Sequence, residues 1–168
     1  MREVKIKLAY ALAERERRRQ LDPLNYLVQH DKQQEATQAL LTHNLLALFW
    51  GNRVGKTEWG AQTVATVVQG RHPAIEAPAE VWSFCPSFDE QKDTTQLKLL
   101  RYIPEHAIVD RIWLRKGILK ELVVKSESGQ LSKVTFKSYE QGREKAQGAG
   151  KSLSGSTRSR QKTSSRNM

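Results

Sequence analysis

Apolar and polar positions along the chain predict four helices and four strands. Near the N-terminus, apolar residues recur at helical spacing (Val4, Leu8 and Leu12), and three later segments are rich in helix-forming residues. We therefore expect helices over residues 4–21, 32–44, 57–68 and 88–102. Short apolar or alternating runs, bounded by turn residues, predict strands over residues 45–50, 80–85, 119–125 and 131–138.

The strand pattern indicates an α/β fold. Residues 45–50 (LLALFW) are all apolar, which is typical of a strand buried on both faces of a parallel sheet. The last two predicted strands alternate instead, and the pair Ser128 and Gly129 between them predicts a hairpin. Because strands and helices alternate along most of the chain, we expect an α/β domain with a mainly parallel sheet flanked by helices.

Length and composition fit one globular domain or part of one. The chain has 168 residues, of which 38% are hydrophobic and 27% charged, and its one cysteine is Cys85. A lone cysteine forms neither an internal disulfide nor a cysteine zinc cluster. No run approaches the ~18 apolar residues of a membrane span, and the charged N-terminus is unlike a secretory signal. We therefore expect a cytoplasmic protein without a membrane partner.

The net charge of +10 is concentrated at the two ends of the chain. Residues 1–20 contain seven basic and three acidic side chains, and residues 150–168 contain five basic and no acidic ones. Such segments attract polyanions, nucleic acid among them, whereas the middle of the chain is close to neutral. The Ser- and Arg-rich stretch 151–168 is predicted to be disordered, because its only apolar residues are Leu153 and Met168. The domains expected are a basic helix (1–22), a globular part (23–150) and this tail.

A glycine-rich segment between a predicted strand and a predicted helix has the composition of a phosphate-binding loop. It reads GNRVGKT and comprises Gly51, Asn52, Arg53, Val54, Gly55, Lys56 and Thr57. In such loops backbone N–H groups surround the phosphates, the lysine contacts the β and γ oxygens, and the hydroxyl coordinates Mg²⁺. The usual spacing G-x-x-x-x-G-K-[ST] would need glycine at Trp50, so the first glycine is displaced by one residue. The alternative is a chance GKT tripeptide in a surface turn.

Two further side chains are candidates for nucleotide contacts. Arg53 lies inside the loop, where an arginine can stabilise the γ-phosphate or sense the triphosphate; the alternative is a solvated or carboxylate-paired arginine. Gln33 precedes Lys56 by 23 residues. Its amide can both donate to and accept from an adenine edge, whereas the alternative is a surface position on a polar helix.

Four stretches resemble the N-terminal half of the ATPase domain in the large subunit of tailed-phage terminases. They are HDKQ (30–33), LFWGNRVGKTEWGA (48–61), TTQLKLLRYIPE (94–105) and VTFKSYEQGREKAQGAG (134–150). The resemblance covers most of residues 28–150 and implies an incomplete P-loop NTPase fold from a motor that packages viral DNA. It implies that residues 51–57 bind ATP and Mg²⁺, with Thr57 on the metal, that Gln33 contacts adenine, and that Lys56 and Arg53 are catalytic.

The same resemblance implies partners and a location. The partners are double-stranded DNA, the terminase small subunit and the portal, in the cytoplasm of a bacterial host. Members of the family work as a ring on the portal. Oligomerisation of this chain is not expected, because by resemblance it holds only about half of the ATPase domain.

The chain departs from this family after Gly150, where it contains no Asp or Glu. In the family an apolar strand ending in consecutive acids follows, in which an aspartate holds Mg²⁺ and a glutamate polarises the attacking water. Loss of a general base lowers a rate by about 10² to 10⁴, so binding without useful turnover is expected. A shifted reading frame would explain the loss, because bases that encode SGSTRSR (154–160) can read WFDEEP in the neighbouring frame.

Three functions are therefore open. The first is an ATP-binding fragment of a DNA-packaging motor. The second is a non-catalytic prophage remnant that binds nucleotide weakly, or binds nucleic acid through its basic ends. The third is a fragment of another P-loop ATPase, such as a helicase.

Overall fold

The computed structural model describes residues 2–139. The helices in this range are α1 (Arg2–Leu21), α2 (Asp31–Thr42), α3 (Lys56–Val68), α4 (Phe88–Gln91) and α5 (Leu97–Tyr102). The strands are β1 (Glu80–Cys85), β2 (Ile108–Arg115), β3 (Ile118–Lys125) and β4 (Leu131–Ser138). Short 3-10 turns cover Pro23–Tyr26 and Glu105–Ala107, and a π-helical turn (Lys92–Gln96) joins α4 to α5. The tail predicted over 151–168 lies outside the described residues.

The strands form one mixed sheet in the order β1-β4-β3-β2. β1 runs parallel to β4, with Glu80 opposite Lys133 and Cys85 opposite Ser138. β3 is antiparallel to both of its neighbours, β4 and β2. Gly117 and Gly129, whose φ angles are 77° and 83°, lie in the turns that join β2 to β3 and β3 to β4. The described part of the chain is therefore a mixed α/β structure whose sheet is flanked by helices.

The core lies between one face of the sheet and helices α3 and α5. Along β4, alternate residues are buried, and the residues between them are half-buried or exposed. This burial pattern has the period of two residues that places successive side chains on opposite faces of a sheet. The core combines apolar residues of three strands with those of the two helices, among them Ala61, Ala65, Val68, Val81, Leu99, Ile103, Leu122, Val124, Val134 and Phe136. Helix α3, which begins at the glycine-rich loop, is thereby anchored to the sheet.

Several predicted elements are confirmed. Helices α1, α2 and α3 begin and end within two residues of the predicted bounds, β1 has the predicted bounds, and β3 and β4 form the predicted hairpin. The helix predicted over residues 88–102 forms as α4, the π-helical turn and α5. The pattern misses β2, an edge strand whose Trp113 is 53% exposed and whose pairing with β3 has register shifts. A strand shows alternating apolar and polar residues when one of its faces is buried, and β2 at the sheet edge is buried only weakly.

The strand predicted over residues 45–50 is wrong. This segment has no regular secondary structure and joins no strand of the described sheet. Leu45 and Phe49 are 87% and 95% exposed. Apolar composition alone does not make a strand, because its backbone groups need a neighbouring strand, and none of the strands within residues 2–139 pairs with it. The expectation of a mainly parallel sheet is also wrong, because only one of the three described strand pairings, β1 with β4, is parallel.

Helix α1 lies at the outside of the described structure. The stripe formed by Val4, Leu8 and Leu12 is 55–68% exposed. Glu14 accepts hydrogen bonds from Arg17 and Arg18 at 2.8 Å, and these bonds lower the pKa of its carboxyl to about 2. Part of the basic charge of α1 is thus neutralised within the helix. None of the described helices is both long enough and apolar enough to cross a membrane.

An ion pair fixes the chain just after α1 to the rest of the structure. Asp22 accepts two hydrogen bonds from Arg71, at 2.6 and 2.9 Å, and Arg71 also donates to Glu127 at 2.6 Å. The hydrogen bonds from Arg71 lower the pKa of Asp22 below its ordinary value. Arg71 therefore joins the start of the chain to the turn between β3 and β4.

Candidate functional site

The glycine-rich loop makes a sharp turn that ends where α3 begins. Gly55 has a φ of 83° and stands at the N-cap of α3, and Arg53, two residues earlier, has a φ of 62°. A Cβ atom added to Gly55 would lie 2.9 Å from Nε2 of Gln33. Glycine is therefore required at position 55 by the left-handed backbone and by the closeness of the Gln33 amide.

Two side chains from the start of α2 bind consecutive carbonyl groups of the loop. Nε2 of His30 donates to the carbonyl oxygen of Val54 at 3.0 Å, and Nε2 of Gln33 donates to that of Gly55 at 3.2 Å. The amide oxygen of Gln33 accepts a hydrogen bond from the backbone N–H of His30 at 3.3 Å. We refer to His30 and Gln33 together as the α2 clamp. It brings the predicted contact residue Gln33 to the loop, although the two are 22 residues apart in sequence.

Lys56 lies across the loop that precedes it. Its ammonium group donates to the carbonyl oxygens of Trp50 at 2.6 Å and Gly51 at 3.1 Å. The ammonium group is only half-buried, and its partners are neutral carbonyls. An anion, which binds an ammonium group more strongly, can therefore compete with them. Thr57 is exposed, and its hydroxyl has no hydrogen-bond partner among the described residues.

The first turn of α3 adds backbone donors to this site. The N–H of Trp59 donates to the carbonyl of Gly55 at 2.9 Å and closes the first turn of the helix. The N–H groups that come before it in a helix have no intrahelical acceptor and carry the positive end of the helix dipole. The loop and the helix start together therefore offer an anion a cation, free N–H groups and a hydroxyl.

Three aromatic rings lie next to one another at the start of the loop. The Trp50 ring lies between those of His30 and Trp59, with centroid distances of 6.1 and 6.3 Å. The indole N–H of Trp59 donates to the hydroxyl of Thr37 on α2 at 2.9 Å. These contacts fix the spacing between α2, the loop and α3, because each ring touches a different element.

A chain of polar side chains continues from α3 to α5. Tyr102 donates its hydroxyl hydrogen to Glu58 and accepts a hydrogen bond from Gln62 at 3.1 Å. Burial, with a smaller effect from Glu58, raises the pKa of Tyr102. Lys98 lies 3.6 Å from the same carboxylate. Glu58, the acid nearest in sequence to Lys56, is therefore engaged in structural contacts.

An open cavity of about 690 Å³ is lined by residues from the start of α2 and from the loop. Its lining residues are His30, Asp31, Lys32, Glu35, Arg53, Val54 and Gly55. The four charged side chains in this set form no ion pair with any described residue. The volume falls in the range of small-molecule sites, which is roughly 300–1,000 Å³. The cavity is therefore large enough for a nucleoside and has charged groups available to contact one.

The predicted site residues differ in how exposed they are. Arg53 is exposed and has no partner in the described range, as expected for the solvated alternative and for an arginine that awaits a ligand. Gln33 is 4% exposed, so the alternative of a surface position does not hold for it. Asn52 is exposed. His30 was missed by sequence reasoning; the available signal is its place three residues before Gln33 at a helix start, the spacing of a capping box.

Protein side chains alone do not form a metal site here. Within residues 2–139 no group of three or more His, Cys, Asp or Glu side chains is arranged to hold a metal ion. Mg²⁺ is commonly held by one or two protein oxygens together with phosphate and water oxygens, and the free hydroxyl of Thr57 suits that arrangement. Comparison with protein-family models, curated protein sequences and solved structures gives no match to the chain.

Proposed function

We propose that this chain binds ATP with Mg²⁺ through residues 51–57, as the nucleotide-binding part of a DNA-packaging motor of the terminase large-subunit type. The observation that supports the proposal most directly is the left-handed Gly55 turn, which opens a 13-residue helix with Lys56 and Thr57. A P-loop NTPase needs this combination of turn, lysine, hydroxyl and helix start. The motif order described for residues 28–150 adds the terminase assignment.

The site residues take distinct roles in this proposal. Lys56 exchanges the carbonyls of Trp50 and Gly51 for the β- and γ-phosphate oxygens, which bind an ammonium group more strongly because they are charged. The free N–H groups at the start of α3 would bind the same phosphates, and the Thr57 hydroxyl would be the protein ligand of Mg²⁺. Arg53 lines the cavity, from which it could approach the γ-phosphate.

The proposal includes partners and a limit on catalysis. By resemblance the partners are double-stranded DNA, the terminase small subunit and the portal, in the cytoplasm of a bacterial host. Glu58 is hydrogen-bonded to Tyr102 and paired with Lys98, and residues 151–168 contain no Asp or Glu. We therefore expect nucleotide binding without appreciable hydrolysis, which is the behaviour of a non-catalytic remnant of the motor.

Calorimetric titration of the purified chain with ATP and Mg²⁺ tests the proposal. Lys56→Ala should weaken binding about tenfold or more, because charge-assisted hydrogen bonds to phosphate are lost. Thr57→Val should weaken binding in the presence of Mg²⁺ and have little effect in its absence. Lys120→Ala, which removes an exposed lysine of β3, is the matched control and should bind like the wild type.

Three results would count against the proposal. Absence of ATP binding to the wild-type chain, or equal affinity of the Lys56→Ala and Lys120→Ala variants for ATP, would exclude the loop as a nucleotide site. Phosphate release from ATP that disappears in Lys56→Ala would contradict the expected lack of turnover. That result would favour a working ATPase, such as a helicase-type enzyme, over the remnant.

A further inference from the structure

We propose that the α2 clamp positions the phosphate loop, so that His30 and Gln33 act on ligand affinity through the loop backbone and without touching the nucleotide. The inference rests on the proposed function, because it concerns the loop that would take the triphosphate. It gives Gln33 a role different from the adenine contact that the family resemblance implies. It also gives His30 a role at the loop in addition to its place at the N-cap of α2.

The hydrogen bonds of Gln33 leave little of its amide for a base. Nε2 donates to the Gly55 carbonyl and Oε1 accepts from the His30 N–H, while the side chain is 4% exposed. Gln33 does not line the cavity beside the loop, although its neighbours His30, Asp31 and Lys32 do. An adenine edge is recognised by an amide that presents a free donor and a free acceptor on one side. Gln33 is turned towards the loop backbone instead.

The clamp determines where the loop N–H groups point. In a trans peptide unit the C=O and the following N–H point in opposite directions within one plane. The carbonyls of Val54 and Gly55 both accept a hydrogen bond from the clamp, and that of Gly55 also accepts one from the Trp59 N–H at 2.9 Å, so the N–H groups of Gly55 and Lys56 point away from these donors. Two consecutive N–H groups with a shared direction form an anion-binding concavity. The clamp therefore prepares the backbone donors that a phosphate would use.

The positions of Gly55 and Trp50 also support a positioning role for the α2 clamp. A side chain at position 55 would meet Gln33 Nε2 at 2.9 Å and His30 Nε2 at 3.6 Å, so both arms of the clamp lie directly against the glycine. The His30 ring also lies beside Trp50, whose carbonyl accepts a hydrogen bond from Lys56. The clamp therefore contacts the loop on both sides of the turn.

Comparing ATP with inorganic tripolyphosphate tests the proposal, because tripolyphosphate has no base. Gln33→Ala and His30→Phe should each weaken both ligands by the same factor, about fivefold, as expected for one lost hydrogen bond. His30→Gln supplies an amide donor in place of the imidazole and should recover most of the affinity. Gln34→Ala is the matched control: Gln34 lies on the same helix and bonds to the Gln29 carbonyl at 2.8 Å, away from the loop, so both affinities should stay unchanged.

The outcomes separate the two proposals. If the wild type binds neither ligand, the proposed nucleotide function fails. If the wild type binds both, but Gln33→Ala weakens ATP and leaves tripolyphosphate unchanged, Gln33 contacts the base and the positioning role is excluded. Equal binding by wild type, Gln33→Ala and His30→Phe also excludes it. Circular dichroism shows whether each variant is folded, and His30→Phe, which keeps a ring beside Trp50, provides the test if Gln33→Ala does not fold.

Discussion

Replacing Gly55 with alanine tests the left-handed turn on which the candidate site depends. The φ of 83° at this residue disfavours an L side chain by about 1–2 kcal/mol. The new Cβ would also meet Gln33 Nε2 at 2.9 Å, so the amide must move and its 3.2 Å hydrogen bond weakens, at about 1 kcal/mol. We expect the free energy of unfolding in urea, followed by circular dichroism, to fall by about 2–3 kcal/mol in total.

Gly60→Ala is the control for this substitution. Gly60 lies inside α3, and an added Cβ would meet no atom within 4 Å apart from its chain neighbours and the backbone of its own helix. Alanine is favoured over glycine inside a helix, so this variant should gain up to about 1 kcal/mol. The double variant Gly55→Ala/Gln33→Ala should lose less than the sum of the two single losses, because both changes remove the same hydrogen bond. The reasoning is refuted if Gly55→Ala is as stable as the wild type, or if both glycine substitutions stabilise.

Three further predictions concern stability measured by urea denaturation. Asp22→Asn should lose about 1–2 kcal/mol at pH 7, since the Asp22 and Arg71 side chains are 28% and 24% exposed. Because Arg71 lowers the pKa of Asp22, the stability difference between wild type and variant should shrink below pH 3.8 and vanish at lower pH, and a difference that stays constant would contradict this prediction. Burial lowers the pKa of His72, so wild-type stability should decrease as pH falls below 6.5, and His72→Gln should lack this decrease. Phe136→Ala should lose about 3–5 kcal/mol, because Phe136 is 2% exposed; a loss under about 1 kcal/mol would exclude its place in the core.

The sequence predicts the elements whose burial is periodic. Helix α3 and strand β4 each bury one face, and that face appears in the sequence as helical or alternating spacing. The predictions fail for residues 45–50 and for strand β2, because the structure of both segments depends on their neighbouring strands. Six apolar residues in a row suit a buried strand, yet their backbone pairs with no described strand; β2 pairs on one side only, through a register with bulges.

The candidate site follows the same division. The GKT sequence and its place before a helix were sufficient to locate the loop at residues 51–57. The α2 clamp could not be read in the same way, because His30 and Gln33 reach the loop across more than 20 residues. Local periodicity carries no information on such contacts. The sequence did single out Gln33, through the resemblance of residues 30–33, but as an adenine contact and not as a partner of the loop backbone.

The segment before the loop has a practical consequence for work with the protein. Leu45 and Phe49 are almost fully exposed, and the stretch 45–50 contains no charge and no proline. Short segments of this composition are aggregation-prone, and they are usually protected by flanking charges or by burial. Salts that strengthen apolar association, such as sulfate, should promote precipitation of the chain. The residues that lead into the candidate nucleotide site thus limit the concentration at which that site can be studied in solution.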